Sequence, residues 1–254
     1  MMSKINNFTI VTPLHSYDKN LLNTGLSIQN SLVHANKKNI RWIIKSSNAV
    51  NEQCKANLIY QCKNLNISFI EKKDNSMYEA LTEAINISDD GYIVWINSGD
   101  LFFKEGFLNL VDLIKTNEFD ICIFNKSVKF LDNRIYTTSR KFFILFVRKG
   151  YYGFYGESLP QENIVFKRNT FLKINHNNIK KFKLAGDWYI FKEIFSLTDN
   201  ILQVKKNFAQ FVFCENQLSE DKKSYLNEIT LFSKLKYSLF WKIIFILEKY
   251  IARI

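Results

Sequence analysis

A carboxylate follows a strand-like apolar run in the first half of the chain. Ile93–Ile96 is uniformly apolar, and Asn97-Ser98-Gly99-Asp100 comes directly after it. A carboxylate beside a flexible glycine at the carboxyl end of a strand can approach a divalent ion that already carries a diphosphate. Asp100 is therefore a candidate ligand for a divalent metal ion. The alternative is a plain turn, because Asn, Ser, Gly and Asp are all common turn formers.

The elements around this motif alternate in type. Short β-rich runs predict strands, and stretches with helical periodicity lie between them. The predicted strands are 8–12, 40–44, 67–70 and 91–96, and the predicted helices are 21–33, 52–64 and 77–87. This order is typical of βαβ units, so we expect an α/β fold with a mostly parallel sheet and ligands at the carboxyl ends of its strands.

The middle of the chain is less regular. The sequence predicts two further strands, at residues 119–124 and 127–130. The stretch Lys141–Tyr155 is basic and aromatic, and it contains Gly150 and Gly153 and is followed by Gly156. These glycines favour a mobile loop on the substrate side.

Composition narrows the class of protein. With 47% hydrophobic and 15% aromatic residues, the 254-residue chain should fold into a packed core. Its net charge of +11 predicts an anionic partner, such as a nucleic acid, a phosphorylated substrate or an acidic lipid surface. The 4 cysteines and 3 histidines lack the spacing of a zinc site. No signal-peptide pattern occurs near Met1, so a cytoplasmic location is expected.

The C-terminal segment differs from the rest of the chain. We expect one domain over residues 1–217, followed by a basic amphipathic helical segment over 218–254. Leu231–Ile254 has helical length, but its lysines and Arg253 interrupt the apolar residues too often for a membrane-spanning helix. Trp241 and Tyr250 flank an apolar stretch, which favours a helix lying on an anionic membrane surface. The alternative is a helix docked on its own domain.

Several segments together resemble one known family. Asp74-Asn75-Ser76-Met77-Tyr78-Glu79-Ala80-Leu81 precedes a helix, a strand and the motif that ends at Asp100. Thr12-Pro13 ends the first strand, and two later segments are 159–168 and 185–189. In this order the set is similar to the family 2 glycosyltransferases of GT-A fold, and most of all to their colanic acid and surface-polysaccharide branch. The resemblance covers about residues 8–195.

The resemblance implies roles for single residues. Asp100 would hold the Mn²⁺ or Mg²⁺ ion on the donor diphosphate, and Asp74 would bind the nucleoside. Asp187 would be the general base that deprotonates the acceptor, with inversion at the sugar; the alternative is that it only caps a helix. The other residues expected to line the donor site, most simply a UDP-sugar site, are Thr12, Pro13, Lys45, Tyr78, Asn97 and Ser98.

Two departures from the family pattern affect these roles. Lys45 stands where the family usually has an acidic residue that contacts the base, so it either pairs with phosphate or indicates a changed nucleotide pocket. Gln161-Glu162 stands where the family often has His-Gln. Glu162 is a second candidate base, with a solvated charge at a strand edge as the alternative.

The implied function is transfer of a sugar to a saccharide or lipid-linked acceptor in the biosynthesis of a capsule, lipopolysaccharide or exopolysaccharide. The enzyme would work at the cytoplasmic face of the inner membrane, and no nucleic acid is expected. Two alternatives stay open. One is a basic nucleic-acid-binding protein, and the other is a degenerate transferase that binds a sugar nucleotide without turnover.

Overall fold

The computed structural model describes residues 8–37, 40–139, 144–155, 159–213, 221–233 and 239–251. The strands in these ranges are β1 (Phe8–Leu14), β2 (Ile40–Ser46), β3 (Leu65–Glu71), β4 (Tyr92–Trp95), β5 (Leu101–Phe102), β6 (Ile121–Ile123), β7 (Lys126–Lys129), β8 (Ile135–Thr138), β9 (Ile164–Lys167), β10 (Ile201–Gln203) and β11 (Ala209–Val212). The α-helices are α1 (Asn20–His34), α2 (Glu52–Gln61), α3 (Met77–Asn86), α4 (Gly106–Thr116), α5 (Ile144–Arg148), α6 (Tyr151–Phe154), α7 (Arg168–Phe171), α8 (His176–Ile179), α9 (Gly186–Ser196), α10 (Lys222–Phe232) and α11 (Leu239–Ile251).

A mixed, mostly parallel sheet forms the centre of the molecule. Its strand order is β10-β6-β9-β4-β1-β2-β3. The β1, β2, β3 and β4 pairings are parallel, and β9 runs antiparallel between β4 and β6. A smaller sheet has the order β5-β11-β7-β8. The predicted α/β architecture with a mostly parallel sheet is confirmed, and β9 accounts for the antiparallel part.

The central strands are buried on both faces, which explains their apolar sequences. Every residue of β1 and of β4 is buried. One apolar cluster joins one face of the sheet to α3, α5, α6 and α9, and a second joins the other face to α1 and α4. Strands covered by helices on both sides read as near-continuous hydrophobic runs, so their side chains form the core beneath the site.

The start of α3 is fixed by local hydrogen bonds. The Ser76 side chain caps the helix by accepting from the backbone N–H of Glu79 at 3.2 Å. The Glu79 carboxylate reaches back and accepts from the backbone N–H of Asn75 at 2.8 Å. This arrangement resembles a capping box, with Glu79 bonded to the residue before the N-cap, and it fixes the start of α3.

The segment expected to be a mobile loop is in part helical. Within Lys141–Tyr155, the described residues form α5 and α6, and Lys141–Phe143 lie outside the described part of the chain. Arg148 donates from Nε to the Phe195 carbonyl at 2.6 Å and from Nη2 to the Thr198 carbonyl at 2.7 Å. The loop prediction was wrong for these residues, because their aromatic side chains pack on α9 instead of facing solvent.

The C-terminal segment forms two helices with different surroundings. On α10, Ile229 is fully buried and Phe232 lies with its ring centre 4.6 Å from that of Phe182. On α11, Trp241 stacks on Tyr151 at 5.4 Å, whereas most of the apolar side chains described are exposed: Leu239, Phe240, Ile243, Ile246 and Leu247. In the part of the chain that the structure describes, no helix has the length and apolar character needed to cross a membrane.

Candidate functional site

The motif at residues 97–100 is both a turn and a junction between elements. The Asp100 backbone N–H donates to the Asn97 carbonyl at 3.2 Å, and Gly99 has a φ of +96°, which favours glycine. The Gly99 N–H donates to the Thr24 hydroxyl at 2.9 Å. The turn is therefore held against the first turns of α1, at the carboxyl end of β4.

The two polar side chains of this turn have partners. Trp95 donates from Nε1 to Oδ1 of Asn97 at 3.0 Å. Ser98 donates from its hydroxyl to Oδ1 of Asp18 at 2.9 Å, and that oxygen also accepts from the backbone N–H of Asn20 at 2.7 Å. Asp18 thus joins the start of α1 to the turn, a link that sequence reasoning missed.

The Asp100 carboxylate is buried and only half satisfied. Its Oδ1 accepts from the backbone N–H of Val212 at 3.0 Å, whereas Oδ2 is buried without a hydrogen-bond partner. Burial, and then the nearby charge of Glu162, raises the pKa of Asp100 well above its usual range. An unpaired buried carboxylate oxygen is costly, and a bound cation is one way to satisfy it.

Glu162 is buried as well, which contradicts its reading as a solvated edge charge. It lies in a 3₁₀ turn over Gln161–Asn163 and is 3% exposed. Its Oε1 accepts from the Asn163 side-chain amide at 2.7 Å. Burial raises the pKa of Glu162 to about 7, against the opposing charge of Lys126. The structure therefore brings Glu162 into the electrostatic environment of Asp100.

Lys45 and Asp74 are brought together at the carboxyl ends of β2 and β3. The fully buried Lys45 ammonium lies 2.9 Å from Oδ2 of Asp74 and 3.4 Å from Oε2 of Glu83. It also donates to the Lys72 carbonyl at 2.5 Å. Of the two readings of Lys45, this geometry favours a changed nucleotide pocket, because its charge is already neutralised by carboxylates.

Thr12 and Pro13 lie where β1 ends, next to Lys45. Pro13 pairs with Lys45 in the parallel register of β1 and β2. The Thr12 hydroxyl is buried and accepts from Nε1 of Trp42 at 3.0 Å. Thr12 and Pro13 therefore contribute to the carboxyl edge of the central sheet mainly through their backbone and their packing.

Asp187 lines a narrow pocket between α6, α9 and α10, with Tyr152, Trp188 and Tyr225 as neighbours. It is the second residue of α9, whose N-cap is Ala185, so it is not the helix cap. Its Oδ1 accepts from the hydroxyl of Tyr225 at 3.3 Å, and the hydroxyl oxygen of Tyr78 lies 3.5 Å from the same carboxylate oxygen. Burial raises the pKa of Asp187 to about 6, and the hydrogen bonds from the Trp188 backbone N–H and the Tyr225 hydroxyl act in the opposite direction.

Tyr78 links Asp187 to the turn at Asp100. Its hydroxyl donates its proton to the Leu184 carbonyl at 2.5 Å, and its ring lies edge-on to Trp95 with 6.2 Å between the ring centres. Since Trp95 holds Asn97, a continuous set of contacts runs from Asp187 to the 97–100 turn. Tyr78 is only 2% exposed, so it supports the site from within the core.

The described side chains supply only part of a metal site. Among the residues that the structure describes, no three His, Cys, Asp or Glu side chains converge on one position. Asp100, with an unpaired oxygen, and the neighbouring Glu162 fit one side of a hard divalent cation, which prefers oxygen ligands.

Comparisons with known proteins give the fold and no closer relative. No protein-family model and no curated protein matches the sequence. The structure is similar to that of Staphylococcus aureus TarS residues 1–349 in complex with UDP-GlcNAc, with a TM-score of 0.62 and 16% identity over 91% of this chain and 68% of that one. The same TarS fragment without ligand gives a TM-score of 0.61 at 14% identity, over 92% of this chain and 76% of the other.

A longer TarS structure gives a TM-score of 0.60 at 14% identity, and this chain spans only 40% of its length. Identities this low establish a common architecture and leave activity to be argued from the site. The strand order, the helices on both faces and these similarities together show that the chain has a fold of the GT-A type.

Proposed function

We propose that the chain is an inverting, metal-dependent glycosyltransferase that takes a sugar from a nucleotide-sugar donor, most simply a UDP-sugar. The observation that carries the proposal is the set of contacts joining Asp100 and Asp187 at the carboxyl edge of a GT-A type sheet. TarS, which has a similar fold, was crystallised with UDP and with UDP-GlcNAc. Ligands of α/β sheets bind at this edge.

Asp100 is proposed as the protein ligand of Mn²⁺ or Mg²⁺ at the donor diphosphate, with Glu162 as its buried neighbour. When bound, such an ion neutralises the charge of the leaving diphosphate. The unpaired Oδ2 of Asp100 supports this role. Asn97 and Ser98 hold the turn that presents the carboxylate.

Asp187 is proposed as the general base. A base with a pKa near 6 is largely ionised at neutral pH and can still accept a proton. In this proposal, the acceptor oxygen attacks the anomeric carbon, the bond from that carbon to the diphosphate breaks, and the acceptor proton moves to Asp187. Direct displacement of this kind inverts the anomeric centre.

The donor pocket is proposed to lie over Thr12, Pro13, Lys45 and Asp74. The family that the sequence resembles usually has an acidic residue at the position of Lys45, which here forms a buried ion pair with Asp74. This difference supports a second candidate function, a transferase that binds nucleotide without turnover. Hydrolysis of UDP-GlcNAc measured with and without Mn²⁺ separates the two.

The acceptor is proposed to be a saccharide or a lipid-linked oligosaccharide for a surface polysaccharide. Helix α11 supports a membrane-associated acceptor, because its exposed apolar side chains suit an interface and the chain is strongly basic. The proposed location is the cytoplasmic face of the inner membrane, with α11 bound to anionic lipid.

The test is a thermal-shift screen of UDP-, GDP-, dTDP- and CMP-sugars with and without Mn²⁺. A donor that binds the native state raises the melting temperature by mass action. We expect one nucleotide class to stabilise the protein, and more strongly with the metal. If none does at millimolar concentration, the proposed function is wrong.

A further inference from the structure

Helix α10, which the sequence separates from the catalytic domain, makes close polar contacts with the site. Tyr225 donates its hydroxyl to Oδ1 of Asp187 at 3.3 Å. One turn further along the same face, Glu228 accepts hydrogen bonds from three consecutive backbone N–H groups just before α9. These contacts therefore reach Asp187, the proposed general base, and the loop 183–185 that precedes it.

The Glu228 contacts fix the loop before α9. Its Oε2 accepts from Leu184 and from Ala185, each at 2.9 Å, and its Oε1 accepts from Lys183 at 3.0 Å. A carboxylate held by several backbone N–H groups makes strong, charge-assisted bonds. Because Asp187 lies two residues beyond Ala185, its position depends on this anchor.

The packing around Tyr225 leaves its hydroxyl little freedom. Gly153 of α6 has a φ of +84°, and a Cβ there would lie 3.2 Å from the Tyr225 oxygen and 3.2 Å from Ile229. Ile229 is fully buried. The glycine thus permits α10 to approach closely enough for its tyrosine to reach Asp187.

We infer that Tyr225 and Glu228 are positioning residues of the active site, so that the C-terminal segment through Ile229 completes the catalytic site. The inference rests on the proposed role of Asp187. Tyr225 orients the Asp187 carboxylate and favours its ionised form. Glu228 holds the loop 183–185 from which α9 begins.

The charges around Asp187 set the direction of the expected pH effect. The titratable groups facing it are Tyr78 of α3, Tyr225 and Glu228 of α10, Tyr152 of α6 and Lys192 of α9. Burial, and then the charge of Asp187, raises the pKa of Tyr225 well above its usual range, so its hydroxyl stays protonated and can donate. Loss of that donor disfavours the Asp187 anion.

The test compares Y225F with the wild type in the full chain. One readout is the pKa of Asp187 from ¹³C NMR of its carboxyl, which does not depend on turnover. The other is the pH profile of UDP-GlcNAc hydrolysis, in which water replaces the acceptor. We expect both to move to higher pH by about half a unit to one unit, since a net hydrogen bond contributes about 0.5–1.5 kcal/mol. Y60F, a hydroxyl deletion at a tyrosine that is 79% exposed, should move neither.

E228Q tests the anchor separately. The amide places a donor against backbone N–H groups, so we expect turnover to fall about tenfold or more while UDP-GlcNAc binding stays within about twofold. E105Q, at an exposed glutamate, is the matched control.

The outcomes distinguish this inference from the proposed function. If Y225F leaves the Asp187 pKa and the pH profile unchanged, or if E228Q turns over normally, the positioning role is wrong even when D187N is inactive. If D187N itself turns over normally, the proposed base is wrong.

Discussion

At the scale of single residues, Asp100 carries the sharpest prediction. Its Oδ1 has a partner in Val212, whereas its buried Oδ2 has none. We expect D100N to keep the fold and lower transfer on the order of 100-fold or more, because an amide is a weaker ligand for a hard dication. Without metal the variant should melt at or above the wild-type temperature, since a buried charge near Glu162 is removed. Stabilisation by Mn²⁺ with donor that persists in D100N would contradict the assignment.

The proton balance at Asp187 gives a second prediction. Its pKa is raised to about 6, so kcat should rise with pH through about 6 and level above it, because the base acts when ionised. Between about pH 4 and pH 6 the folded chain holds this proton more tightly than the unfolded chain. The contribution of Asp187 to stability therefore decreases as pH rises through that window.

D187N should retain donor affinity and lose about 10²-fold to 10⁴-fold in turnover, with a melting temperature at or above that of the wild type at pH 7. D112N, at an exposed helix position, is the control. Parallel loss of donor affinity and turnover would show that Asp187 positions the donor or supports the fold.

Lys45 tests the buried ion pair. Replacing it with Met leaves the largely buried Asp74 carboxylate without its cation, whereas Glu83 keeps its ion pair with Lys72. Removing one partner of a buried pair costs about 3–5 kcal/mol, which urea unfolding measures. K115M, which removes an exposed lysine paired with Asp112, should change stability little. A small effect of K45M would mean that water or another group already satisfies the Asp74 carboxylate.

At the scale of elements, the junction of α3 and α9 depends on one glycine. A Cβ at Gly186 would lie 2.4 Å from Cγ of the Tyr78 ring. G186A should therefore push α9 away from α3, destabilise the fold by about 1–3 kcal/mol and lower turnover by displacing Asp187. Thermal unfolding and kcat measure the two effects. K183A, at an exposed nearby residue, is the control, and wild-type behaviour of G186A would show that this junction is loosely packed.

At the scale of the whole molecule, the two C-terminal helices should behave differently. A chain ending after Ser233 keeps Tyr225, Glu228 and Ile229 and loses residues 234–254, which include α11. We expect it to fold and to hydrolyse UDP-GlcNAc normally, because α11 leaves most of its described apolar side chains exposed. It should lose binding to vesicles with anionic lipid, and the wild-type binding should weaken as salt rises.

A chain ending before Lys222 should instead be destabilised and inactive, since it loses the buried Ile229 and the contacts to Asp187. Vesicle sedimentation and UDP-GlcNAc hydrolysis distinguish the two truncations. If the full chain and the chain ending after Ser233 bind vesicles equally well, the proposal that α11 binds the membrane is wrong.

The sequence by itself determined the elements of the first half, because strands buried on both faces and amphipathic helices have distinct periodicities. The predicted strands and helices from Phe8 to Ile96 correspond to β1–β4 and α1–α3. The motif at Asp100 was placed correctly at the carboxyl end of β4, since that position follows from local order alone.

Only the tertiary structure decided which distant groups meet. The pairing of Lys45 with Asp74, the burial of Glu162 near Asp100 and the approach of Tyr225 to Asp187 join residues far apart in the chain. The glycines of the stretch Lys141–Tyr155 suggested a loop, because local composition does not show what covers its aromatic side chains. A helical stripe at the C-terminus likewise does not reveal whether the surface it meets is lipid or the protein's own core, since both bury the same apolar side chains.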